Sequence, residues 1–386
     1  MHDTFAAQLR RLRVERELSL SGLSRLVHYS RGYLSKVENG LASANPELAK
    51  SCDEALDAGG ALVALARPTR RATRPATAEP EPPGASVRAD GTAFDLFVGF
   101  FDQHRTLGHR ASPRAVLPGL VPQVDVLRTM AGSTREPDLR DGLWRLAARF
   151  AEYAGWMAQE AGDEERAVRL TDEAVRCAAL GGDRELATYA LVRQAEFALY
   201  RNDARQAVLL AQRAQADPSM SAAVRSLAAQ REAQGYALAG EDVRFGQALE
   251  RAAELHRAAP PGLPLLGSTS LPDPVAVTRA WSAYDLGRAR EAAELLDAQV
   301  PLIRPHAVRS RTRFGLRRAL AHAAAGELEH GCELLAELLD DLVLVDSATI
   351  RADLARFGRL LASRPLPGGA HRLRTRIRDV LFPQGS

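Results

Sequence analysis

The chain has 386 residues, enough for two or three domains, with 46% hydrophobic residues and a formal charge of +3. That hydrophobic content excludes wholesale disorder, and the slight basic excess permits a nucleic-acid partner without requiring one. No apolar run reaches the roughly 18 residues of a membrane span, and Cys52, Cys177 and Cys332 are too far apart for a disulfide framework or a paired metal site, which together predict a soluble cytoplasmic protein.

In chain order, the first helix is predicted over TFAAQLRRLRVERELS, with Phe5, Leu9 and Leu12 on one face. Ser19 is a good N-cap for a second helix, SLSGLSRLV. His28-Tyr29 makes a short turn, and Ser30 caps a third helix, RGYLSKVENG, which Gly40 ends. Pro46 starts a fourth, PELAKSCDEAL, and Gly59-Gly60 precede a short fifth. Leu34 and Val37 face inward toward Leu23 and Val27, which leaves Arg31, Gly32 and Lys36 facing outward.

Five short helices with a tight second-to-third turn, and the run LSLSGLSRLVHYSRGYLSKVENG in particular, resemble the XRE (Cro/repressor-type) helix-turn-helix family. The resemblance covers residues 1–66 and implies a double-stranded DNA operator as partner. In that family the third helix enters the major groove. Arg31 and Lys36 then donate to guanine edges, and Gly32 leaves room for close approach. Ser30, Tyr33 and Ser35 contact phosphates or bases, and the backbone near Ser19 and Ser21 receives a phosphate. Arg13 and Glu38 occupy positions where many members hold a buried ion pair. Over residues 1–71, eleven basic side chains face eight acidic ones. A monomer with so small an excess binds weakly, so a homodimer on a two-fold site is expected.

Residues 67–93, RPTRRATRPATAEPEPPGASVRADGTA, lack large apolar side chains and read as a flexible linker. Residues 94–386 carry helical periodicity nearly throughout, FDLFVGFF at 94–101 included, so the fold class is all-α. Turns recur at Gly162-Asp163, Asn202-Asp203, Gly240-Glu241, Gly287-Arg288 and Gly326-Glu327, spaced 40, 38, 47 and 39 residues apart. The long interval holds a loop at 260–274. Ala167, Ala207, Ala248, Ala292 and Gly331 follow the turns and let paired helices approach closely. This period resembles a tetratricopeptide-like α-solenoid. AEYAGWMAQEAGD (151–163), GGDRELATYALVRQAEFALY (181–200) and LAAQREAQGYALAG (227–240) resemble actinobacterial regulators of that build. More distantly, the domain order resembles peptide-sensing regulators, and implies a sensor and dimerisation platform.

If the first helix of each hairpin lines the concave face, effector contacts fall to Arg149, Glu152, Trp156 and Gln159, then Tyr189, Glu196 and Tyr200, Gln230 and Gln234, and Trp281 and Tyr284. Aromatic walls with a few polar groups suit a small molecule or peptide; a small-protein effector is the other candidate. The same spacing also fits aromatics packed between hairpins. Of the 51 basic residues only Lys36 and Lys50 are lysine, a bias read as coding preference. No glycine-rich phosphate or dinucleotide loop, HExxH or GxSxG occurs, so neither enzyme activity nor a cofactor is expected. His330 and Cys332 lack further ligands at zinc-site spacing, so no metal is expected either. The expected function is a DNA-binding transcriptional regulator with an effector-sensing solenoid. The alternative is a scaffold whose solenoid holds a partner protein.

Overall fold

A computed structural model describes residues 5–16, 18–27, 29, 31–39, 44, 46–66, 90–259, 271–363 and 370–382. Among them are twenty α-helices, one 3-10 turn and no strand. The protein is all-α. It divides into two compact units, residues 1–84 and 85–386.

The first unit comprises α1 (Phe5–Glu15), α2 (Leu20–Val27), α3 (Arg31–Glu38), α4 (Pro46–Ala55) and α5 (Ala61–Ala66). Leu9, Leu23, Val27, Leu34, Val37, Leu48, Cys52, Leu56 and Leu62 form one buried cluster. Two devices set the helix ends. The Ser19 hydroxyl accepts from the Gly22 amide at 3.0 Å, so α2 starts where its cap lies. The Asp53 carboxylate accepts from the amides of Gly60 (2.7 Å) and Leu62 (2.8 Å), tying α4 to the start of α5. Gly40 and most of the expected linker (67–89) lie outside the described residues. The linker's last residues are helical instead. The Asp90 carboxylate caps the next helix by accepting from the Ala93 amide, so that helix begins at Gly91.

The second unit opens with α6 (Gly91–Gly108) and α7 (Pro113–Ser133). Five helical hairpins follow, each joined at a turn expected from the sequence: α8 (Pro137–Glu160) with α9 (Glu164–Leu180), α10 (Arg184–Tyr200) with α11 (Ala204–Gln215), α12 (Ala222–Leu238) with α13 (Asp242–Ala258), α14 (Pro274–Asp285) with α15 (Ala289–Gln299), and α16 (Val308–Ala325) with α17 (Leu328–Ala336). α18 (Leu339–Val345), α19 (Ala348–Ala362) and α20 (Ala370–Leu381) complete it.

One local device makes all five turns. A residue with positive φ ends the first helix, and the next amide donates back five residues, as Asp163 does to the Ala158 carbonyl at 2.9 Å and Glu327 to that of His322 at 3.0 Å. This is a Schellman stop. Asp163 and Asp203 then cap the following helix with their side chains. A sixth such turn, Gly182-Asp183, joins α9 to α10; the repeat spacing did not single it out. Of the expected loop at 260–274, residues 260–270 lie outside the described set, and Pro274 already starts α14.

The small residues behave as close-approach points. A Cβ on Gly331 would stand 2.7 Å from the Ala319 carbonyl oxygen, so α17 packs backbone-close on α16. Gly246, inside α13, has nothing within 4 Å of its Cβ position. Gly331→Ala should therefore lower the melting temperature by overpacking, while Gly246→Ala should raise stability by about 0.5–1 kcal/mol through helix propensity. A thermal melt of both variants checks the pair, and equal shifts would refute the close-packing account.

The hairpin array closes on itself. α19 returns against α8, and the chain before α16 meets the end of α6. The Arg309 amide donates to the His109 carbonyl at 2.8 Å, and its guanidinium donates to the Gly108 carbonyl (2.8 Å), the Ala111 carbonyl and Glu160 (3.0 Å). Ser347 and Thr349 donate to the same Glu160 carboxylate at 2.6 and 2.8 Å. Glu160 and Arg309 are both almost fully buried.

Candidate functional site

The turn-bearing pair α2–α3 is the first candidate. Burial of Leu34 and Val37 fixes the rotation of α3 about its axis. Positions 32, 35 and 36 then fall on the side away from the core, with 31 on the flank. Ser21 is exposed in the first turn of α2, beside the capping Ser19, itself exposed. Tyr33 is half-buried, with its ring stacked 5.9 Å from that of Tyr29. The Ser35 carbonyl accepts from the Asn39 side chain at 2.8 Å. Ser30, and the side chains of Arg31, Gly32 and Lys36, lie outside the described residues. Arg13 and Glu38 form the expected pair, Nε to Oε1 at 2.6 Å and Nη2 to Oε2 at 2.8 Å. It ties the end of α1 to the end of α3.

Residues 4–66 match the family model of a helix-turn-helix domain.

That match supports an XRE-type DNA-binding regulator, and it covers the first unit alone. Comparison with curated proteins returned no match, and neither did comparison with solved structures. No helix among the described residues is long and apolar enough to cross a membrane.

The second candidate is a cavity of about 240 Å³ inside the helical array. Its wall comes from α6, the first helices of all five hairpins, and α19. Of the eleven effector contacts expected from sequence, nine lie on this wall: Arg149, Glu152 and Trp156 of α8; Tyr189, Glu196 and Tyr200 of α10; Gln230 and Gln234 of α12; and Trp281 of α14. Two do not. Gln159 stands behind the wall and accepts from Arg193 at 2.6 Å. Tyr284 is stacked on Trp281 at 4.7 Å, so the indole separates it from the cavity. Both were placed by helical spacing alone, which gives a face but not the depth of a side chain within it.

Sequence reasoning missed the arginines. Besides Arg149, the wall holds Arg105, Arg193, Arg231 and Arg356, and Arg309, Arg313 and Arg317 spaced four apart along α16. That i, i+4, i+8 stripe was the available signal, hidden by the chain's general arginine abundance. Several are buried and held. Arg193 donates to Glu196 and Gln159 and lies 3.8 Å from Glu152. Arg317 donates to Asp353 at 2.9 Å and lies 4.0 Å over the Trp281 ring.

The cavity field is positive. Burial works against ionisation of Glu196, but Arg193, Arg231 and Arg313 outweigh it and bring that carboxyl down to about 2. Burial pushes Asp285 up to about 6 despite Arg317 and Arg356. Burial likewise raises Glu152, against the pull of Arg193 and Arg149. It lowers Arg149 and Arg313. Among the described residues no cluster of three or more metal-ligating side chains occurs.

Proposed function

We propose that this protein is a sequence-specific transcriptional regulator that binds a double-stranded DNA operator as a homodimer in the cytoplasm and senses an effector in its helical array. The helix-turn-helix match over residues 4–66 carries the reading. Arg31 and Lys36 on α3 read guanine edges in the major groove, and the start of α2 at Ser19–Ser21 receives a backbone phosphate. We assign the array a sensing role and no catalysis, and take it to be of the tetratricopeptide-like, actinobacterial type that its repeats resemble. The cavity supports sensing: a closed ring of helices around about 240 Å³ suits a small effector better than the surface of a partner protein. For the dimer, α6 exposes Leu96, Phe100 and Leu107, at i, i+4 and i+11, an apolar strip for a second copy.

The test is selection of bound genomic fragments by the purified protein at a stated near-physiological salt. Enrichment of a two-fold symmetric site is expected. Arg31→Ala should cost about 1–3 kcal/mol on that site and relax preference at one base pair per half-site. No enrichment from a folded, dimeric sample would mean either that an effector must bind first or that the array's partner protein is the function, and pull-down from lysate would then favour the scaffold.

A further inference from the structure

The effector's chemistry is legible in the charges of the cavity wall. Eight arginines line the cavity against four carboxylates, Glu152, Glu196, Asp285 and Asp353. Adding Glu160 from behind the wall still leaves three positive charges in excess. Part of this set is structural: Arg309 is saturated by Glu160 and two carbonyls, and Arg317 by Asp353 and the Trp281 face.

Arg193 is likewise held by Glu196 and Glu152, and Arg356 lies 3.6 Å from Asp353; Arg149, Arg231 and Arg313 are less fully paired. Among the described residues, Arg149 makes no hydrogen bond and has no carboxylate within 4 Å, while Arg231 donates only to the neutral Gln234. Arg313 donates to the Tyr200 hydroxyl and lies over that ring, and its nearest carboxylate, that of Glu160, is 4.0 Å away. The Nε atoms of Arg231 and Arg313 are buried without a partner. Guanidinium groups shielded from water and short of counter-charge destabilise a fold. They are also the side chains best shaped to grip a carboxylate or phosphate, two parallel donors at a time.

The same wall carries Trp156, Tyr189, Tyr200 and Phe314.

We infer that the cavity binds a small organic anion, one or more carboxylate or phosphate groups carried on a flat, unsaturated body, held by Arg149, Arg231 and Arg313. The inference rests on the sensor reading for its regulatory meaning, but its chemistry stands on the wall itself.

Two measurements on the full chain test it. In ligand-free protein, Arg149→Met should raise the melting temperature by a few degrees, because a charge that burial disfavours is removed, while Arg231→Met, which also loses the pull of Arg231 on Glu196, should not. The second measurement uses matched probes, benzoate with benzamide and phenyl phosphate with phenol, followed by thermal shift and by quenching of Trp156 and Trp281 fluorescence. The acids should act at tenfold or more lower concentration than their neutral partners. Both methionine variants should erase that preference. Preference for benzoate or for phenyl phosphate separates a carboxylate effector from a phosphate one. An Arg149→Met variant that melts at or below the parent, or equal responses to acid and neutral partner (no response to either included), would overturn the proposal. Acid-specific binding that leaves operator affinity unchanged would uphold the ligand class and overturn the sensor reading instead.

Discussion

Glu38→Ala should unfold the helix-turn-helix domain and abolish DNA binding while leaving the helical array folded. The Glu38 side chain is 4% exposed and that of Arg13 is 14% exposed, and the two meet fork to fork. Arg13 also donates to the Leu18 carbonyl at 2.7 Å, so the guanidinium pins the α1–α2 connection as well as α3. Alanine removes both carboxylate oxygens and leaves a half-buried cation. Breaking such a pair from one side costs about 3–5 kcal/mol. At roughly 0.05–0.15 kcal/mol per residue, a domain of this size has little more than that to lose. The expected record is loss of one melting transition, with the second intact. Removing both charges, Arg13→Met with Glu38→Leu, should recover most of the stability, because no orphaned charge then remains. A Glu38→Ala protein that melts in two transitions like the parent would refute the assignment.

Glu160→Ala should open the array. One carboxylate there takes the Arg309 guanidinium and the hydroxyls of Ser347 and Thr349, and so holds α8 to α16 and to the start of α19. Its side chain is 1% exposed and that of Arg309 is 3% exposed. Without the carboxylate, Arg309 keeps only the Gly108 and Ala111 carbonyls, and the two hydroxyls lose an acceptor. A loss of about 3–5 kcal/mol is expected. It should be local, because the hairpins still pack on their neighbours. Hydrogen exchange should rise in α16 and α19, the radius of gyration should grow, and the anion response should vanish, since both helices line the cavity. Unchanged exchange in α19 would show that closure does not depend on this network.

Local chemistry was enough to read the first unit. Ser19 caps α2, Gly59-Gly60 turn into α5, and the Leu23–Val27–Leu34–Val37 set closes the core, all from residues within about 60 positions of one another. The hairpin turns were equally legible, because a left-handed residue followed by a capping Asp stops one helix and starts the next from short-range bonds alone. The repeat period then placed nine wall residues on the correct helix faces.

What lay beyond the sequence depends on residues far apart in the chain. Closure of the array joins Gly108 to Arg309 and Glu160 to Thr349, contacts about 200 positions apart that no periodicity encodes. The depth of a side chain within its layer is also a tertiary matter, which is why Gln159 and Tyr284 sit behind the wall and not on it. The arginines show the difference most plainly. In sequence each is one of many, read as coding bias. Only the ring of helices gathers Arg149, Arg231 and Arg313 around one space, where partial shielding from water strengthens the pull of each on an anion.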